Sequence, residues 1–545
     1  MNTPQRPELD FQATVPALSR RGAELFGDKT LINTDGVERS YRDIEAESRR
    51  LAKTLIEAGV GKGTRVAAQF PYGAEWVVAW IAATRIGALF IPLSTALKPA
   101  ELQKILRHSD AHLLLMPPRL QGASRVEFLE QALPGLASSG PRLMLEGTPY
   151  LRSILLAGKV DQSWAQPISI FGAATASPVS DALLDDIESE VSPADLMIVI
   201  YTSGTTSAPK GVTHSHGAMV RHGANLAALL EFKHSDKIYC GMPFFWVGGV
   251  SYTMVPIMHV GGTLLCNDTF DAGRALDFME HEQATLITGW PGITGPILKH
   301  PSIPTRNIPA LTHPFLAPGK KSPHGQLGMT ETCASHSGTT PETRWMPTPP
   351  GPGASMGHPV PHVEHKITDV ETGADLPEGD EGAIMVRGYS LMMGMIKRER
   401  EDVFTPDGWY NTGDRGCIRQ GVLFLTGRIS EMIKTSGNNV APPEVEGVLL
   451  RLGAQEAYVM GLPDADRGEI VASAVVLPAG AGIDADTLRE KARAELSNYK
   501  VPRKIVFMNK EDIPWLATGK VDRLSLKAMV AALPNACTVQ ESSRG

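Results

Sequence analysis

The sequence is poor in cysteine and carries no excess of basic charge. Only five of its 545 residues are cysteine, and none of them forms a CxxC pair. This pattern argues against a disulfide framework or a zinc site and is typical of reduced thiols in the cytosol. The net charge is −7, whereas general nucleic-acid binders usually carry a basic surface. We therefore expect a cytoplasmic protein that does not bind nucleic acid.

Long uninterrupted apolar runs are also missing from the sequence. The N-terminus, MNTPQRPELDF, lacks the apolar core of a secretory signal. The most membrane-like stretch begins at Trp76 and is interrupted by Arg85, Gly87 and Pro92. It predicts a buried helix followed by a strand, and we expect no integral membrane segment.

The patterns along the chain indicate an α/β protein. A chain of 545 residues is too long for one hydrophobic core and predicts about three or four domain-sized units. Helical patterns alternate with short β-rich runs through about the first 270 residues, with no internal repeat. One helix is predicted to begin after Ser40, with Asp43 completing a cap and Ile44, Leu51 and Leu55 sharing one face.

A second organisation begins late in the chain. The run GVLFLTGR predicts a strand that ends at Gly427 and Arg428, and the later run DTLREKARAEL predicts a helix. We predict a large N-terminal domain of several subdomains, residues 1–427, and a small α+β C-terminal domain, residues 428–545.

The stretch YTSGTTSAPKGVTHSHG, residues 201–217, has the composition of a phosphate-binding loop. The apolar run LMIVIY precedes it, so the loop leaves the end of a predicted buried strand, where α/β proteins place ligands. It is not a Walker A loop, because Pro209 and Gly211 occupy the positions that need Gly and Ser or Thr. Gly204 and Gly211 allow close backbone approach, and Lys210 adds positive charge. From composition alone, a solvated surface loop is an equal alternative.

This loop resembles the signature T-S-G-[ST]-T-G-x-P-K-G of the adenylate-forming superfamily, which includes acyl- and aryl-CoA synthetases. One departure is Ser207, where the family usually has Gly. The resemblance implies that the loop binds ATP for the transfer of AMP. The ATP-binding residues that it implies here are Thr202, Ser203, Gly204, Thr205, Thr206 and Lys210.

The run LGMTET, residues 327–332, resembles the family motif Y-G-x-T-E. The match implies that Thr330 contacts the nucleotide phosphate and that Glu331 ligates Mg²⁺, both as catalytic residues. One glutamate suits this ion, because Mg²⁺ keeps its waters and needs few carboxylates beside phosphate oxygens. Leu327, Gly328 and Met329 complete the ATP contacts, with Leu327 in place of the usual aromatic residue. A polar turn is the alternative interpretation.

Three further residues of the ATP site follow from later motifs. YNTGDRG, residues 410–416, is similar to Y-x-T-G-D and implies that Asp414 binds the ribose hydroxyls; a simple turn is the alternative. Arg428 would contact the ribose or phosphate. PWLATGKVDR, residues 514–523, resembles the C-terminal catalytic loop and implies that Lys520 bridges the incoming carboxylate and the α-phosphate. A solvated lysine is the alternative.

The run that begins at Gly427 resembles the hinge motif of the family. Ser430 falls at the pivot, where relatives usually have Asp or Lys. By the same resemblance, Lys434, Ser436 and Gly437 approach CoA after the small domain has rotated.

The acyl pocket of the family matches MPFFWVGG, residues 242–249. The pocket residues implied are Phe245, Trp246, Val247, Gly248, Gly249 and Trp290. Trp246 stands where many relatives have His and would act as a gate or shorten the pocket, with a core tryptophan as the alternative. The interval of residues 291–324 is only 34 residues long and rich in Pro and His, so it predicts an unusual pocket wall.

Two other patterns are rejected as sites. GASMG, residues 353–357, matches a hydrolase elbow, but a proline-rich loop precedes it and no histidine follows His365. His358, His362 and His365 have helical spacing, but the intervening prolines disfavour a helix. His214, His216 and His222 are expected around a loop and a helix start rather than at a metal.

The resemblance implies an AMP-forming acyl-CoA synthetase, an acid–thiol ligase. A carboxylate attacks the α-phosphate of MgATP, and the thiol of CoA then attacks the acyl-AMP. ATP, Mg²⁺ and CoA are the expected cofactors, and the partner is a small carboxylic acid, with an apolar acyl or aryl acid favoured. The alternatives are an adenylation enzyme that loads a carrier protein, a non-catalytic ATP- or acyl-binding relative and, least favoured, a luciferase-like oxygenase. Homo-oligomerisation stays open.

Overall fold

The computed structural model describes residues 6–171, 177–202, 209–289, 291–312, 325–340, 343, 346–435, 438–464, 467–478, 480–496, 498–516 and 520–534, except for the side chains of residues 291, 292, 312, 430, 434, 438 and 439. The chain folds into two compact units, which are described separately. The larger unit comprises Met1–Met346, Pro359–Glu364 and Arg387–Gly408, and the smaller comprises Pro347–His358, His365–Val386 and Trp409–Gly545.

The larger unit is an α/β structure. Its α-helices are Val15–Phe26, Tyr41–Glu57, Ala74–Arg85, Pro99–His108, Arg125–Ala132, Asp181–Ser189, His216–Leu229, Val247–Gly249, Val255–Val260, Ala272–Glu282, Pro291–Leu298 and Pro309–Thr312. Single 3-10 or π turns lie at Leu136–Ser138, Val250–Met254, Ile303–Thr305, Thr330–Thr332 and Arg400–Asp402.

The largest sheet has eight strands among the described residues. In spatial order they are Gly394–Met395, Lys210–Ser215, Leu196–Thr202, Leu89–Pro92, Arg65–Ala68, Leu113–Met116, Ser153–Ala157 and Ala165–Ile168. The last six pair in parallel, and the first two are antiparallel additions at one edge. Parallel strands are buried on both faces, which accounts for apolar runs such as the one before the glycine-rich loop.

A second sheet of the described chain has five strands. Their order is Leu286–Thr288, Lys237–Cys240, Thr263–Cys266, Thr30–Thr34 and Val37–Ser40, and only the last pairing is antiparallel. Short antiparallel pairs are formed by Arg119–Leu120 with Ala123–Ser124 and by Leu327–Met329 with Ala334–Gly338.

The helix predicted after Ser40 is confirmed as Tyr41–Glu57. The Asp43 N–H donates to Ser40 Oγ at 3.0 Å, and the Ser40 N–H donates to Asp43 Oδ2 at 2.9 Å. These reciprocal bonds satisfy backbone donors that the first helical turn leaves without partners. The apolar face that the spacing predicted is buried.

The membrane-like stretch is a buried helix, Ala74–Arg85, followed by the strand Leu89–Pro92, as predicted. Arg85 is fully buried, and its guanidinium lies 2.5 Å from carboxylate oxygens of both Glu45 and Glu188. A buried charge needs such partners, so this ion-pair group joins three helices of the larger unit. In the described part of the chain, no helix combines the length and the apolarity needed to cross a membrane.

The smaller unit contains two sheets among its described residues. The first has the order Ala354–Ser355, Val422–Arg428, Tyr410–Arg419, Gly382–Gly388 and Val363–Thr368. The second has the order Asn438–Val440, Ile433–Thr435, Gly468–Val476 and Glu456–Asp464, with Lys504–Phe507 parallel to Gly468–Val476. Helices Pro442–Arg451, Ala485–Glu495 and Arg523–Ala532 and 3-10 turns Ile429–Glu431 and Lys510–Asp512 complete this unit.

The second of these sheets and its helices form an α+β structure. The helix predicted from the run DTLREKARAEL is present as Ala485–Glu495, with Leu488 and Ala492 buried, and Leu496 lies one residue beyond its end. The proline-rich segment of residues 347–359 contains two short strands, Ala354–Ser355 and His358–Pro359. The domain boundary after residue 427 stays a prediction.

Candidate active site

The strand before the glycine-rich loop forms an antiparallel hairpin with the strand after it. We call Leu196–Thr202 the entry strand and Lys210–Ser215 the exit strand. Thr202 lies opposite Lys210 at the loop end of the ladder, so these two residues flank the loop. The predicted ATP contacts Ser203, Gly204, Thr205 and Thr206 lie outside the described residues.

Close packing around residue 211 leaves no room for a side chain. A Cβ at this position would lie 2.9 Å from Val199 Cγ1, 3.0 Å from the ring of Tyr201 and 3.1 Å from Ile396 Cγ1. These distances are shorter than normal van der Waals contact. The exit strand is therefore closely packed at the residue next to Lys210.

The motif that contains Glu331 is a tight turn between two paired strands. Leu327–Met329 pairs with Ala334–Gly338, and Thr330–Thr332 forms the 3-10 turn between them. A Cβ at Gly328 would lie 2.6 Å from the Ala334 carbonyl oxygen, so the close approach of the two strands requires glycine there. The Met329 N–H donates to Thr332 Oγ1 at 3.3 Å, and the Thr332 hydroxyl donates to the Ala334 carbonyl at 2.8 Å.

The turn is followed by two non-glycine residues with positive φ. Cys333 has φ 63° and Ala334 has φ 117°. The first value lies in the left-handed region, and the second is strained for any residue with a Cβ. The bonds of Thr332 to both sides of the turn hold this conformation, which lies directly beside Thr330 and Glu331.

Three segments of the larger unit meet at the Thr330–Thr332 turn, and we call this meeting point the three-segment junction. It joins Thr213 and His214 of the exit strand, Thr330 and Glu331 of the turn, and residues 392 and 393. His214 Nε2 lies 2.7 Å from the Thr330 carbonyl oxygen. The backbone N–H of Met392 donates to the Glu331 carbonyl at 2.8 Å, and that of Met393 donates to the Thr213 carbonyl at 2.8 Å.

His214 is fully buried and neutral in this junction. Burial lowers the pKa of His214 to about 4, although its bond to the Thr330 carbonyl opposes that shift. A carbonyl oxygen only accepts, so Nε2 carries the proton and donates it. His214 lies in a strand rather than in the loop where the sequence placed it.

A second buried histidine lies behind the turn. His222, in the helix His216–Leu229, is 3.1 Å from the Tyr389 hydroxyl through Nδ1. Asn225 Nδ2 donates to the same hydroxyl at 2.7 Å, which leaves the phenol proton for His222. Burial lowers the pKa of His222 to about 3. Among the described residues, no group of three or more His, Cys, Asp or Glu side chains could hold a metal ion.

The predicted acyl-pocket motif forms the start of an irregular helix. Val247–Gly249 is a short helix that continues through a π turn, Val250–Met254, and such turns are frequent at functional sites. A Cβ at Gly249 would lie 2.2 Å from the Pro243 carbonyl oxygen, so glycine is required there. Gly248 is partly exposed in the same helix.

Aromatic side chains surround this motif. Phe245 is buried, and its ring meets Trp246 at 5.8 Å with an interplanar angle of 84°. The ring centroids of Tyr72 and Phe245 are 6.3 Å apart. Trp246 is only partly buried, unlike the core residue Trp80, which is 0% exposed. Trp290 lies outside the described residues.

The short interval after residue 290 contains two α-helices and a 3-10 turn in its described part. Pro291–Leu298 and Pro309–Thr312 are helices, and Ile293 and Ile297 pack into the apolar cluster under the second sheet. A Cβ at Gly241 would lie 2.2 Å from Ile293 Cγ2. The helix Pro291–Leu298 therefore packs directly against the end of the strand Lys237–Cys240, which leads into the pocket motif. Residues 313–324 lie outside the described chain.

In the smaller unit, the predicted ribose residues lie opposite each other. Asp414 and Arg428 are register partners on neighbouring strands, and Arg428 Nη1 lies 3.1 Å from Asp414 Oδ1. The same guanidinium nitrogen donates to the Thr412 carbonyl at 2.8 Å. Asp414 therefore lies in a strand rather than in a simple turn.

Lys520 is exposed on a small hairpin of the smaller unit. Trp515 bridges Val521, and the Leu516 N–H donates to the Lys520 carbonyl at 2.8 Å. Residues 517–519 lie outside the described chain. This exposure is compatible with a catalytic lysine that reaches a ligand and equally with a solvated lysine.

The remaining predicted residues are only partly described. Ser430 lies in the 3-10 turn Ile429–Glu431, and Lys434 lies in the strand Ile433–Thr435, both without a described side chain. Ser436 and Gly437 lie outside the described residues. The hinge and the CoA contacts stay predictions.

Sequence reasoning missed His214, Tyr389 and Met392. Two of them carry a weak signal, because histidine and tyrosine rarely lie in apolar surroundings without a hydrogen-bond partner. Met392 contributes only its backbone N–H, which no side-chain pattern reveals.

Comparisons with known proteins cover nearly the whole chain. The model for the AMP-binding enzyme family matches residues 19–396, and that for the AMP-binding enzyme C-terminal domain matches residues 444–520. The indoleacetate–CoA ligase of Aromatoleum aromaticum is 28% identical, over 94% of this chain and 97% of its own length. The mitochondrial medium-chain acyl-CoA ligase ACSF2 of Mus musculus is 26% identical, over 93% and 85%. The crystal structure of ATP-bound MatB from Rhodopseudomonas palustris aligns with a TM-score of 0.75 at 25% identity, over 95% of this chain and 99% of that one.

Proposed function

Because the chain belongs to the AMP-binding enzyme family, we propose that it activates an apolar acyl or aryl acid with MgATP and transfers the acyl group to CoA. The recognition of the adenylate-forming superfamily from the motifs is confirmed, as are the α/β fold with a smaller C-terminal domain and the class of AMP-forming acid–thiol ligase. What we propose beyond this class is the nature of the acid and the use of CoA as the acyl acceptor.

The three-segment junction carries the proposal for ATP. It holds the backbone of Thr330 and Glu331 next to the strand that begins with Lys210. A lysine and a threonine hydroxyl suit phosphate oxygens, and one carboxylate suits a Mg²⁺ ion that arrives with ATP and takes its other ligands from phosphate and water. The residues present therefore fit MgATP as a substrate.

The pair formed by Asp414 and Arg428 supports binding of the nucleoside. Asp414 is 8% exposed as a residue, and its carboxylate, beside the guanidinium of Arg428, is a charged acceptor of the kind that binds ribose hydroxyls. Charge-assisted hydrogen bonds of this kind are stronger than neutral ones. Arg428 then contacts the ribose or a phosphate with its remaining donors.

Lys520 supplies positive charge to the adenylation step in this proposal. The acid's carboxylate attacks the α-phosphorus, a new P–O bond forms and pyrophosphate leaves. Negative charge builds up on the α-phosphate, and a fixed ammonium group stabilises it. In the second step the CoA sulfur attacks the acyl carbon, and AMP leaves.

The aromatic residues around the acyl-pocket motif favour an apolar or aromatic acid. Phe245, Trp246 and Tyr72 offer ring surfaces and no charge to the segment that the resemblance assigns to the acyl group. Two relatives are named as ligases of a medium-chain acyl acid and of indoleacetate, which also supports an apolar acyl or aryl substrate.

The proposal is tested by pyrophosphate release from MgATP with fatty, aryl, branched and polycyclic acids, with and without CoA. We expect turnover with an apolar class and thioester formation that requires CoA. AMP formation that needs a carrier protein instead of CoA would contradict the proposal that CoA is the acyl acceptor. ATP binding without pyrophosphate release from any acid would point to a non-catalytic relative.

A further inference from the structure

His214 makes a specific contact that the family resemblance does not assign. It lies four residues beyond Lys210 on the exit strand, is fully buried, and donates from Nε2 to the Thr330 carbonyl at 2.7 Å. The two residues are 116 positions apart in the chain. The bond therefore connects the strand that leaves the phosphate loop with the turn that carries Glu331.

The effect of this bond on Glu331 follows from which carbonyls are held. The Thr330 carbonyl belongs to the peptide group before Glu331, and it accepts from the Cys333 N–H of the turn at 3.1 Å and from His214 Nε2 at 2.7 Å. The Glu331 carbonyl belongs to the peptide group after it, and the Met392 N–H holds that one at 2.8 Å. With both flanking peptide planes fixed, φ and ψ of Glu331 are fixed, and so is the direction of its Cα–Cβ bond.

The exit strand is itself held at the same place. The Met393 N–H bonds the Thr213 carbonyl at 2.8 Å, and the Thr213 hydroxyl donates to the Gly394 carbonyl at 2.9 Å. His214 therefore acts from a strand that cannot shift without breaking bonds to the segment that also holds Glu331.

Packing alone does not explain why a histidine occupies position 214. Its Nδ1 is buried without a hydrogen-bond partner among the described residues, which is unfavourable for a polar atom. An apolar side chain at this strand position would avoid that cost. The Nε2 bond to the Thr330 carbonyl is the interaction that an apolar side chain at this position would lose.

We propose that His214 is a positioning residue for adenylation, which orients Thr330 and Glu331 toward the phosphates and the metal of MgATP. This inference rests on the proposed function for the nature of the ligand. Partners that orient ligating groups typically contribute about 10–100-fold to metal affinity or activity.

Variants of His214 separate orientation from packing. His214→Met keeps the volume and removes the donor, whereas His214→Gln retains an amide N–H near the place of Nε2. We expect His214→Met to lower kcat/KM for MgATP in pyrophosphate release about 10–100-fold, and His214→Gln to restore most of it. Thioester formation from pre-formed acyl-AMP and CoA should change little in both.

A matched control is His259→Met. His259 Nε2 also bonds a backbone carbonyl, that of Val220, at 2.8 Å, but this bond does not involve the turn. We expect this variant to change the thermal unfolding midpoint as His214→Met does, without its loss of adenylation. An equal loss in His259→Met, equal losses in the two half-reactions, or a His214→Gln variant no better than His214→Met would overturn the proposal.

Two further measurements keep the test decisive. If His214→Met does not fold, His214→Asn replaces it, because the shorter asparagine side chain stays polar but does not reach the Thr330 carbonyl. The inference would then be contradicted if His214→Asn were as active as His214→Gln. ATP binding with and without Mg²⁺ distinguishes this inference from the proposed function. A wild type that binds MgATP but uses no acid sinks only the proposed function, and a His214→Met variant with undiminished Mg²⁺-dependent ATP binding sinks only the role of His214.

Discussion

Asp414 and Arg428 come from two separate motifs and lie opposite each other on neighbouring strands, with Oδ1 and Nη1 3.1 Å apart. Both residues also bond Thr412, since the Arg428 guanidinium donates to the Thr412 carbonyl and the backbone N–H of Asp414 donates to the Thr412 hydroxyl oxygen. The two side chains are thus held as one charged pair, to which a ligand with hydroxyl and phosphate groups can add.

We expect Asp414→Ala to weaken ATP use about tenfold or more, because a charged hydrogen-bond acceptor for the ribose is lost. The diagnostic measurement is kcat/KM for ATP against 2′-deoxy-ATP and 3′-deoxy-ATP. The wild type should discriminate against at least one deoxy nucleotide, and Asp414→Ala should not. Discrimination that survives in Asp414→Ala would remove the ribose role, and Asp402→Ala, on an exposed turn of the larger unit, serves as the control.

Lys520→Ala is expected to slow adenylation by about 10²–10³-fold, because the fixed positive charge at the α-phosphate is lost. Thioester formation from pre-formed acyl-AMP should continue. The exposed Lys491 of the helix Ala485–Glu495 provides the control variant Lys491→Ala, with both half-reactions unchanged. If Lys520→Ala reduced the two half-reactions equally, its assigned role would be wrong.

Leu327→Tyr should leave activity intact and tighten ATP binding. Leu327 is partly exposed and lies opposite Ser337 at the start of the turn-forming strand pair, and an aromatic ring there would stack on adenine. Calorimetric titration with ATP measures the change, and Leu327→Ala should shift the affinity the other way. Unchanged affinity in Leu327→Tyr, or failure to fold, counts against an adenine contact at this position.

Ala334→Gly should raise the thermal stability of the protein. The φ of Ala334 is 117°, which strains a residue with a Cβ by about 1–3 kcal/mol, and glycine removes that strain at an entropic cost of about 0.5–1 kcal/mol. The control is Ala165→Gly in the strand Ala165–Ile168, which should lower stability. A lower unfolding midpoint for Ala334→Gly would show that the strain is absent.

The stability of the protein should fall as the pH falls below about 6.5, and His216 contributes to this dependence. The Val15 N–H donates to its Nδ1 at 3.1 Å. Burial lowers the pKa of His216 from 6.5 to about 3, with Asp195 opposing and Lys62 reinforcing the shift. Between these pH values the unfolded imidazole binds a proton and the folded one does not, so the unfolded state gains stability as pH decreases.

His216→Asn keeps an acceptor near the place of Nδ1 and removes the titration. We expect a shallower pH dependence of unfolding, by up to about 1.4 kcal/mol per pH unit. Unfolding midpoints from about pH 7.5 to about pH 4.5 measure it, and His281→Asn, at a side chain that is 82% exposed, should leave the slope unchanged. An unaltered slope in His216→Asn would mean that His216 is not kept neutral by the fold.

Much of the fold and part of the site follow from short stretches of sequence. The capping box of Ser40 and Asp43 and the buried helix that ends at Arg85 were predictable, because each depends on residues within a few turns of one another. The exit strand, which pairs antiparallel with the entry strand, was harder to predict from the sequence, because the glycines and hydroxyls of this region equally suit a surface loop.

The sequence by itself determined which chemical groups this protein brings to a phosphate-bearing ligand, since hydroxyls, glycines, lysine and carboxylates lie together in short motifs. A local turn bond from the Cys333 N–H reaches the Thr330 carbonyl, but the tertiary structure decided the contacts that fix this turn in the fold, namely His214 on the Thr330 carbonyl and the Met392 N–H on the Glu331 carbonyl. A hydrogen bond needs its heavy atoms about 3 Å apart with a defined angle. Local periodicity cannot set that distance between residues 116 positions apart, and the packing of three segments does.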